Sequence, residues 1–207
     1  MEYNLIPAQD VIDKTAAALK ANNIETIIVN NGAEAKQKAL ELLPAGAEVM
    51  NMTSVTVDTI GLTQEINESG KYNTIRSKFE KMDKATQGSE MRKLGAGPDW
   101  AIGSVHAVTQ DGHAIIASAT GSQLPAYAYG AGNVIWIVGA QKIVENVEAG
   151  MKRIYNYTLE LEAVRARKAY NIPADKPGSA VNKLLIFNKE YMPGRVTMIL
   201  VKEVLGF

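Results

Sequence analysis

The hydrophobic positions near the start of the chain switch between helical spacing and short apolar runs. Residues 6–21 place their apolar side chains on one face of a helix, with Asp10 as the capping residue. Residues 26–30 and 47–51 are apolar runs typical of buried strands, and residues 33–43 between them predict a second helix. A helix between two strands is the βαβ pattern, which favours a parallel sheet.

The rest of the chain predicts helices first and then mostly strands. A helix capped by Thr53 or Ser54 runs to residue 66, and another spans residues 73–94, where we expect Gly88 to interrupt it. The remaining predicted segments are strands at residues 101–109, 113–119, 133–138, 184–187 and 196–201, a short helix at 121–129, a mostly helical stretch at 142–170 and a loop at 172–180. The late strands flank a turn at Pro193-Gly194. These patterns predict one α/β domain over residues 1–207, with an open, mostly parallel sheet.

Composition narrows the classes of protein and of site. Hydrophobic residues make up 46% and charged residues 21% of the 207 residues, which excludes a largely disordered chain. The 22 basic and 22 acidic residues balance, so we expect no nucleic-acid partner. The absence of cysteine excludes disulfides, thiolate nucleophiles and cysteine-ligated iron–sulfur clusters on this chain. With two histidines we expect no metal site and no cofactor here, and any redox metal would belong to a partner.

The first residues and the apolar runs predict a location. The N-terminal segment lacks the basic start and apolar stretch of a signal peptide. The longest apolar runs, such as residues 134–138, are far shorter than the roughly 20 residues that a membrane span needs. We therefore predict no membrane span and a cytoplasmic location.

Three loops follow predicted strands, where parallel α/β sheets bind their ligands. The first contains Asn31 and Gly32, and the second contains Thr53 and Ser54. The third holds small and polar residues in front of a predicted helix, namely Thr120, Gly121, Ser122 and Gln123. Backbone N–H groups at such a helix start favour a phosphate or carboxylate. A plain helix cap explains the same residues, and both interpretations stay open.

A predicted hairpin brings His106 and Ser104 towards the third loop. If Asp111 and Gly112 are the two central turn residues, His106 pairs with Ala117, and Ser104 with Ala119. A three-residue turn would shift this register and the faces of the side chains. His106 is a candidate catalytic residue, and a structural histidine is the alternative.

Residues 71–93 carry seven basic and three acidic side chains. Arg76 and Lys78 in this segment are candidates for contact with an anionic ligand. A solvated helix face is the alternative explanation of such a charge run.

The stretch GSVHAVTQDGHAIIASATGSQLPAYAYGAGNVIWIVGAQKIV, residues 103–144, resembles the LUD domain family, which includes proteins of bacterial lactate utilisation. Similar segments at residues 53–62, 74–88, 165–170, 179–187 and 193–207 extend the resemblance over nearly the whole chain. The resemblance implies the fold shared by ribose-phosphate isomerase, glucosamine-phosphate deaminase and class I CoA transferases. In that fold helices cover both faces of the sheet, and strand-end loops hold the ligand.

The resemblance and the loops together support three hypotheses of function. In the first, Thr120, Gly121 and Ser122 cradle a small anionic metabolite (an organic acid, an acyl or a phosphorylated compound) in organic-acid utilisation. His106 would then exchange a proton with the ligand, and Asn31, Thr53 and Ser54 would orient it. The second is a non-catalytic assembly subunit of an oxidoreductase, with iron–sulfur or flavin subunits as partners. The third is a sugar-phosphate isomerase or deaminase. A homo-oligomer is compatible with all three hypotheses.

Overall fold

The structure is a computed structural model, and it describes residues 3–207. Its strands in this range are β1 (Ile24–Val29), β2 (Glu48–Asn51), β3 (Asn73–Thr74), β4 (Trp100–Gly103), β5 (Ala107–Thr109), β6 (Ala114–Ser118), β7 (Asn133–Gly139), β8 (Ile143–Val144), β9 (Lys183–Phe187) and β10 (Val196–Val201). The α-helices are α1 (Gln9–Ala21), α2 (Gly32–Leu42), α3 (Val55–Thr59), α4 (Leu62–Glu68), α5 (Ile75–Phe79), α6 (Lys84–Ala96), α7 (Val147–Arg153) and α8 (Leu159–Tyr170). A π-helical turn, Ile154–Thr158, joins α7 to α8, and another spans Ala126–Gly130.

Six strands form an all-parallel sheet in the order β1-β10-β7-β4-β2-β3. The side chains of β7 show that both faces of this sheet are covered. Trp136 and its alternate neighbours pack against α1 and the second sheet, whereas Ile135 and Ile137 pack against α2, α3 and α4. Burial on both faces explains the continuous apolar run of this strand. The predicted α/β fold with an open parallel sheet is confirmed.

The other four strands form a small mixed sheet in the order β8-β5-β6-β9. β6 runs antiparallel to β5 and β9, and β8 runs parallel to β5. Ala107, Ile115 and Ala117 of this sheet pack against Ile154, the first residue of the π-helical turn after α7. The small sheet therefore lies between the main sheet and the long helical segment α7–α8.

The segment predicted as one strand at residues 101–109 is two strands in different sheets. The chain leaves the main sheet after Gly103 and enters the small sheet at Ala107, so Ser104 and His106 lie in the connection. The hairpin turn also differs from the two-residue turn, because Ala107 pairs with Ile115 and Val108 with Ala114. Gly112 has φ +87°, which a three-residue turn of this kind requires. The predicted pairs of His106 with Ala117 and of Ser104 with Ala119 are therefore wrong by one residue.

Other boundaries differ for local reasons. The helix predicted through residue 66 breaks at Gly61, which has φ +67°. The helix predicted over residues 73–94 breaks before Asp83, whose carboxylate accepts a hydrogen bond from the Ala85 N–H, and Gly88 lies inside α6. Residue 142 lies in a 3₁₀ turn after β7 instead of in a helix. The strands on either side of Pro193-Gly194 belong to different sheets. Over residues 3–207 no helix is long and apolar enough to cross a membrane.

Candidate functional site

A cavity of about 400 Å³ opens at the carboxyl ends of three neighbouring strands, β2, β4 and β7. The segment after each strand contributes polar side chains, and α5 adds a fourth source. The polar residues of these segments that line the cavity are Thr53, Ser54 and Thr56 after β2, Ser104 and His106 after β4, Lys142 after β7, and Arg76 from α5. The rule that parallel sheets bind ligands beyond their strand ends thus locates the cavity.

Lys142 is the most deeply buried cation that lines this cavity, with 2% of its surface exposed. Its Nζ donates hydrogen bonds to Thr56 Oγ1 at 2.9 Å, Ser104 Oγ at 3.1 Å and the Val105 carbonyl oxygen at 3.2 Å. All three acceptors are uncharged. Burial, and then the nearby charge of Arg153, lower the pKa of Lys142 from 10.5 to about 7.

A second buried cation, Arg153 at the end of α7, lies behind the cavity wall and is fully buried. Its Nη1 donates to the His106 carbonyl oxygen at 2.8 Å and to Thr158 Oγ1 at 2.9 Å, and the guanidinium lies 5.2 Å from the ring centre of Tyr157. Its Nε and Nη2 are buried without a hydrogen-bond partner in the described part of the chain. Burial lowers the pKa of Arg153 to about 10, so the guanidinium keeps its charge at neutral pH.

His106 faces the cavity as a neutral imidazole. Its Nδ1 accepts a hydrogen bond of 3.1 Å from the Ala117 N–H, which places the ring proton on Nε2. Burial, and then the charges of Lys142 and Arg153, lower the pKa of His106 from 6.5 to about 3. The ring therefore presents an N–H donor to the cavity at neutral pH.

Arg76 adds a third cation from the side of β2. Its Nε donates to the Asn51 carbonyl oxygen at 2.9 Å and its Nη2 donates to Thr53 Oγ1 at 3.1 Å. Across residues 3–207 no carboxylate lies within 4.0 Å of the charged nitrogens of Arg76, Lys142 or Arg153. The acidic side chain that lines the cavity, Glu162, is bound through both oxygens by Arg165 at 2.7 Å. The cavity wall therefore carries an excess of positive charge.

The sequence matches the LUD domain family over residues 12–201. The chain belongs to the LUD domain family. No curated protein matches the sequence. Among solved structures, it is similar to a crystal structure of a DUF162 family protein from Deinococcus radiodurans, with a TM-score of 0.54 and 12% identity. The match covers 94% of this chain and 99% of the other chain. At this identity the likeness shows a common fold.

In this LUD domain, Thr120, Ser122 and Gln123 of the third loop line the cavity. The loop's own oxygens already bind two of its amides, because Gly121 N–H donates to Ser118 Oγ at 2.8 Å and Ser122 N–H donates to Thr120 Oγ1 at 3.3 Å. The helical conformation begins only at Leu124 and continues as the π-helical turn Ala126–Gly130. Gly121 itself is not part of the lining, and the deeper polar contacts come from Lys142 and its neighbours.

Three other predicted site residues lie away from the cavity of the LUD domain. Asn31 and Gly32 line a wider, shallower depression of about 850 Å³ beside α2, where Glu203 Oε2 accepts the Gly32 N–H at 2.7 Å. β1 stands at one edge of the main sheet, so its loop is separated from the ends of β2 and β4 by β10 and β7. Lys78 pairs with Glu48 at 2.5 Å and does not line the cavity.

Lys142 and Arg153 are the site residues that the sequence interpretation missed. For Lys142 a signal existed, because residues 112–141 contain no Lys, Arg, Asp or Glu and a buried strand ends just before it. The strand-end rule that selected the three predicted loops applies to the position of Lys142 as well. For Arg153 nothing in the helical pattern sets it apart. Among residues 3–207 no three potential metal-ligating side chains come together.

Proposed function

We propose that the cavity of this LUD domain binds a small anionic metabolite, namely an organic acid, an acyl or a phosphorylated compound. The observation that carries the proposal is the excess of positive charge at the cavity, where Arg76, Lys142 and Arg153 have no carboxylate partner among residues 3–207. A buried charge without a counter-ion is costly, and an anionic ligand would supply the missing charge.

The size and lining of the cavity fit a small ligand. Binding sites for small molecules commonly have volumes of roughly 300–1,000 Å³ and a few polar groups on an apolar wall, and this cavity has about 400 Å³. Arg76 would attract the acidic group, and Thr53 and Ser54 would orient it. His106 Nε2 would donate a hydrogen bond to a ligand oxygen. Organic-acid utilisation is the setting we favour, because the family that the chain resembles includes proteins of bacterial lactate utilisation.

A thermal-shift panel tests the binding of an anion. The panel holds lactate, pyruvate, other hydroxy and oxo acids, CoA and acyl-CoAs, sugar phosphates and nucleotides, with lactamide as the uncharged control for lactate. A ligand at about 100 times its Kd stabilises the fold by about 2.7 kcal/mol, which raises the Tm of a chain of this size by roughly 5–10 °C. We expect the shift with one class of anion and none with lactamide.

Matched arginine variants localise the binding. Arg76→Gln removes a cavity cation, and Arg92→Gln removes an exposed arginine of α6 that does not line the cavity. We expect Arg76→Gln to lose most of the ligand-induced shift and Arg92→Gln to keep it. A ligand that shifts all three proteins equally binds elsewhere and contradicts the proposal.

The hypothesis of a sugar-phosphate isomerase or deaminase has less support than the hypothesis of anion binding. A carboxylate often acts as the base for proton transfer between carbon atoms, and the carboxylate side chain that lines the cavity, Glu162, is held by Arg165. The assembly-subunit hypothesis stays a prediction, and co-purification with iron–sulfur or flavin proteins from native extract tests it. A protein that turns over an organic acid alone would argue against that second hypothesis.

A further inference from the structure

The surroundings of Lys142 are unusual for a structural lysine. A buried lysine is normally paired with a carboxylate, and this one has two hydroxyls and one carbonyl as its partners. Hydroxyl groups both donate and accept hydrogen bonds. In the structure both hydroxyls accept from the charged amine and donate to carbonyl oxygens, Thr56 to Leu205 at 3.2 Å and Ser104 to Val105 at 3.3 Å. If either hydroxyl turns its proton towards Nζ, it satisfies the neutral amine, which donates two hydrogen bonds and accepts one. The site accommodates both protonation states.

The neutral amine has a nucleophilic lone pair, and burial beside another cation is the usual way to populate it. Here the desolvated position of Lys142 and the charge of Arg153 bring its pKa to about 7. Two other ionisable groups of the cavity do not titrate near this pH, because the pKa of His106 is lowered to about 3 and burial raises the pKa of Tyr127.

Lys142 and Arg76 both bind side chains of the short segment 53–56. Arg76 binds the hydroxyl of Thr53, and Lys142 binds the hydroxyl of Thr56. Three residues of extended chain span at most about 11 Å, so the Cα atoms of Thr53 and Thr56 are no further apart than this. Arg76 and Lys142 also line the same cavity of about 400 Å³, so one small molecule in that cavity can contact both side chains. A ligand that contacts both side chains carries an anionic group for Arg76 and a group that reacts with the amine of Lys142.

We propose that Lys142 forms an imine with the carbonyl carbon of a small oxo acid whose carboxylate is bound near Arg76. The proposal rests on the proposed function, because it needs the cavity to hold an organic anion. It narrows the ligand to a carboxylate that carries an aldehyde or ketone group. Hydroxy acids, which lack a carbonyl beside the carboxylate, bind without reacting.

The reaction balances without a further reactant. The lone pair of Nζ adds to the carbonyl carbon, and one proton of the amine moves to the carbonyl oxygen to give a carbinolamine. The C–O bond then breaks, the second amine proton leaves with the hydroxyl group as water, and the C=N bond forms. Ser104 Oγ, 3.1 Å from Nζ, can pass the first proton from nitrogen to oxygen. His106 Nε2–H can donate a hydrogen bond to the departing oxygen.

Reductive trapping tests the imine directly. The intact protein is incubated with pyruvate or glyoxylate, reduced with sodium borohydride, and examined by intact mass and peptide mapping. We expect one label per chain, with the mass of the oxo acid less one oxygen atom, on the peptide that contains Lys142. Lactate with borohydride gives no label. Because the wild-type map identifies the labelled residue, the result does not depend on a variant that folds.

Variants and pH sharpen the assignment. Lys142→Arg keeps a cation and should lose the label, whereas Lys189→Arg, at an exposed position outside the cavity, should be labelled like the wild type. The rate of trapping should rise with pH to a plateau, with a midpoint near pH 7. Besides His106 and Tyr127, the charged or ionisable residues that line the site are Arg76, Tyr170 and the Glu162–Arg165 pair.

The outcomes separate this proposal from the proposed function. Oxo acids that stabilise the protein without any label at Lys142 overturn the imine and leave anion binding in place. Label spread over exposed lysines, or unchanged in Lys142→Arg, also overturns it. If no anion of the thermal-shift panel binds and no label forms, both proposals fail.

Discussion

The buried amine of Lys142 predicts a pH dependence of stability that a single substitution removes. In the unfolded chain the lysine keeps its proton up to about pH 10.4, whereas in the native state the pKa is about 7. Between these values the unfolded state binds one more proton than the native state, so this group makes the native state more stable as the pH rises. At about 1.4 kcal/mol per pH unit, the whole window amounts to about 5 kcal/mol.

Urea unfolding of the wild type, Lys142→Met and Lys189→Met at pH 6 to 10 measures this effect. For each pH we take the free energy of unfolding of the wild type minus that of Lys142→Met. We expect this difference to be level below pH 7 and to rise above it with a slope that approaches about 1.4 kcal/mol per pH unit. The same difference taken for Lys189→Met should stay level, because that side chain is exposed. A level difference for Lys142→Met over the whole range would refute a lowered pKa and with it the neutral amine.

Three further predictions concern other parts of the site and its support. In the wild type the buried Arg195 lies 2.8 Å from the carboxylate of Glu190. Glu190→Gln removes this counter-ion, so we expect the free energy of unfolding in urea to fall by about 3–5 kcal/mol, and an unchanged midpoint would contradict this. Gly103→Ala places a methyl group on the hydroxyl of Tyr127, so it should destabilise by about 1–3 kcal/mol, and adding Tyr127→Phe should recover part of the loss. The pKa of His106, lowered to about 3, makes the native state lose stability as the pH falls from 6.5 towards 3. We expect His106→Gln to have a shallower loss of unfolding free energy over that range, and equal slopes would refute it.

The strand-end rule and the apolar runs predicted the main features of the fold. The apolar stretches that became β7 and β10 are buried on both faces, so their continuous hydrophobicity is a strong signal. The connection through Ser104 and His106 was not predictable, because a chain that passes from one sheet to another keeps the same apolar pattern on both sides. The hairpin register depends on one extra turn residue, which composition does not specify.

The candidate site was predictable where local sequence sets the position and not where distant contacts do. Thr53, Ser54 and His106 follow strands, and the structure brings them to one cavity. The loop of Asn31 follows a strand as well, but strand order places it elsewhere, and strand order is not written in any local pattern. The pKa of Lys142 depends first on its burial and then on Arg153, which lies eleven residues further on in a separate helix, so its chemistry emerges only after folding.

The strand order also has a consequence for how the chain is made. β10 lies between β1 and β7 in the main sheet, although β1 is among the first elements to be synthesised. Until residue 201 has left the ribosome, β1 has no neighbour, and one edge of β7 stays open. Pairing over such a separation is slow, and open parallel edges are prone to aggregate. We therefore expect nascent chains that stop short of β10 to depend on chaperones, and slowed translation between β7 and β10 to lower the yield of native protein.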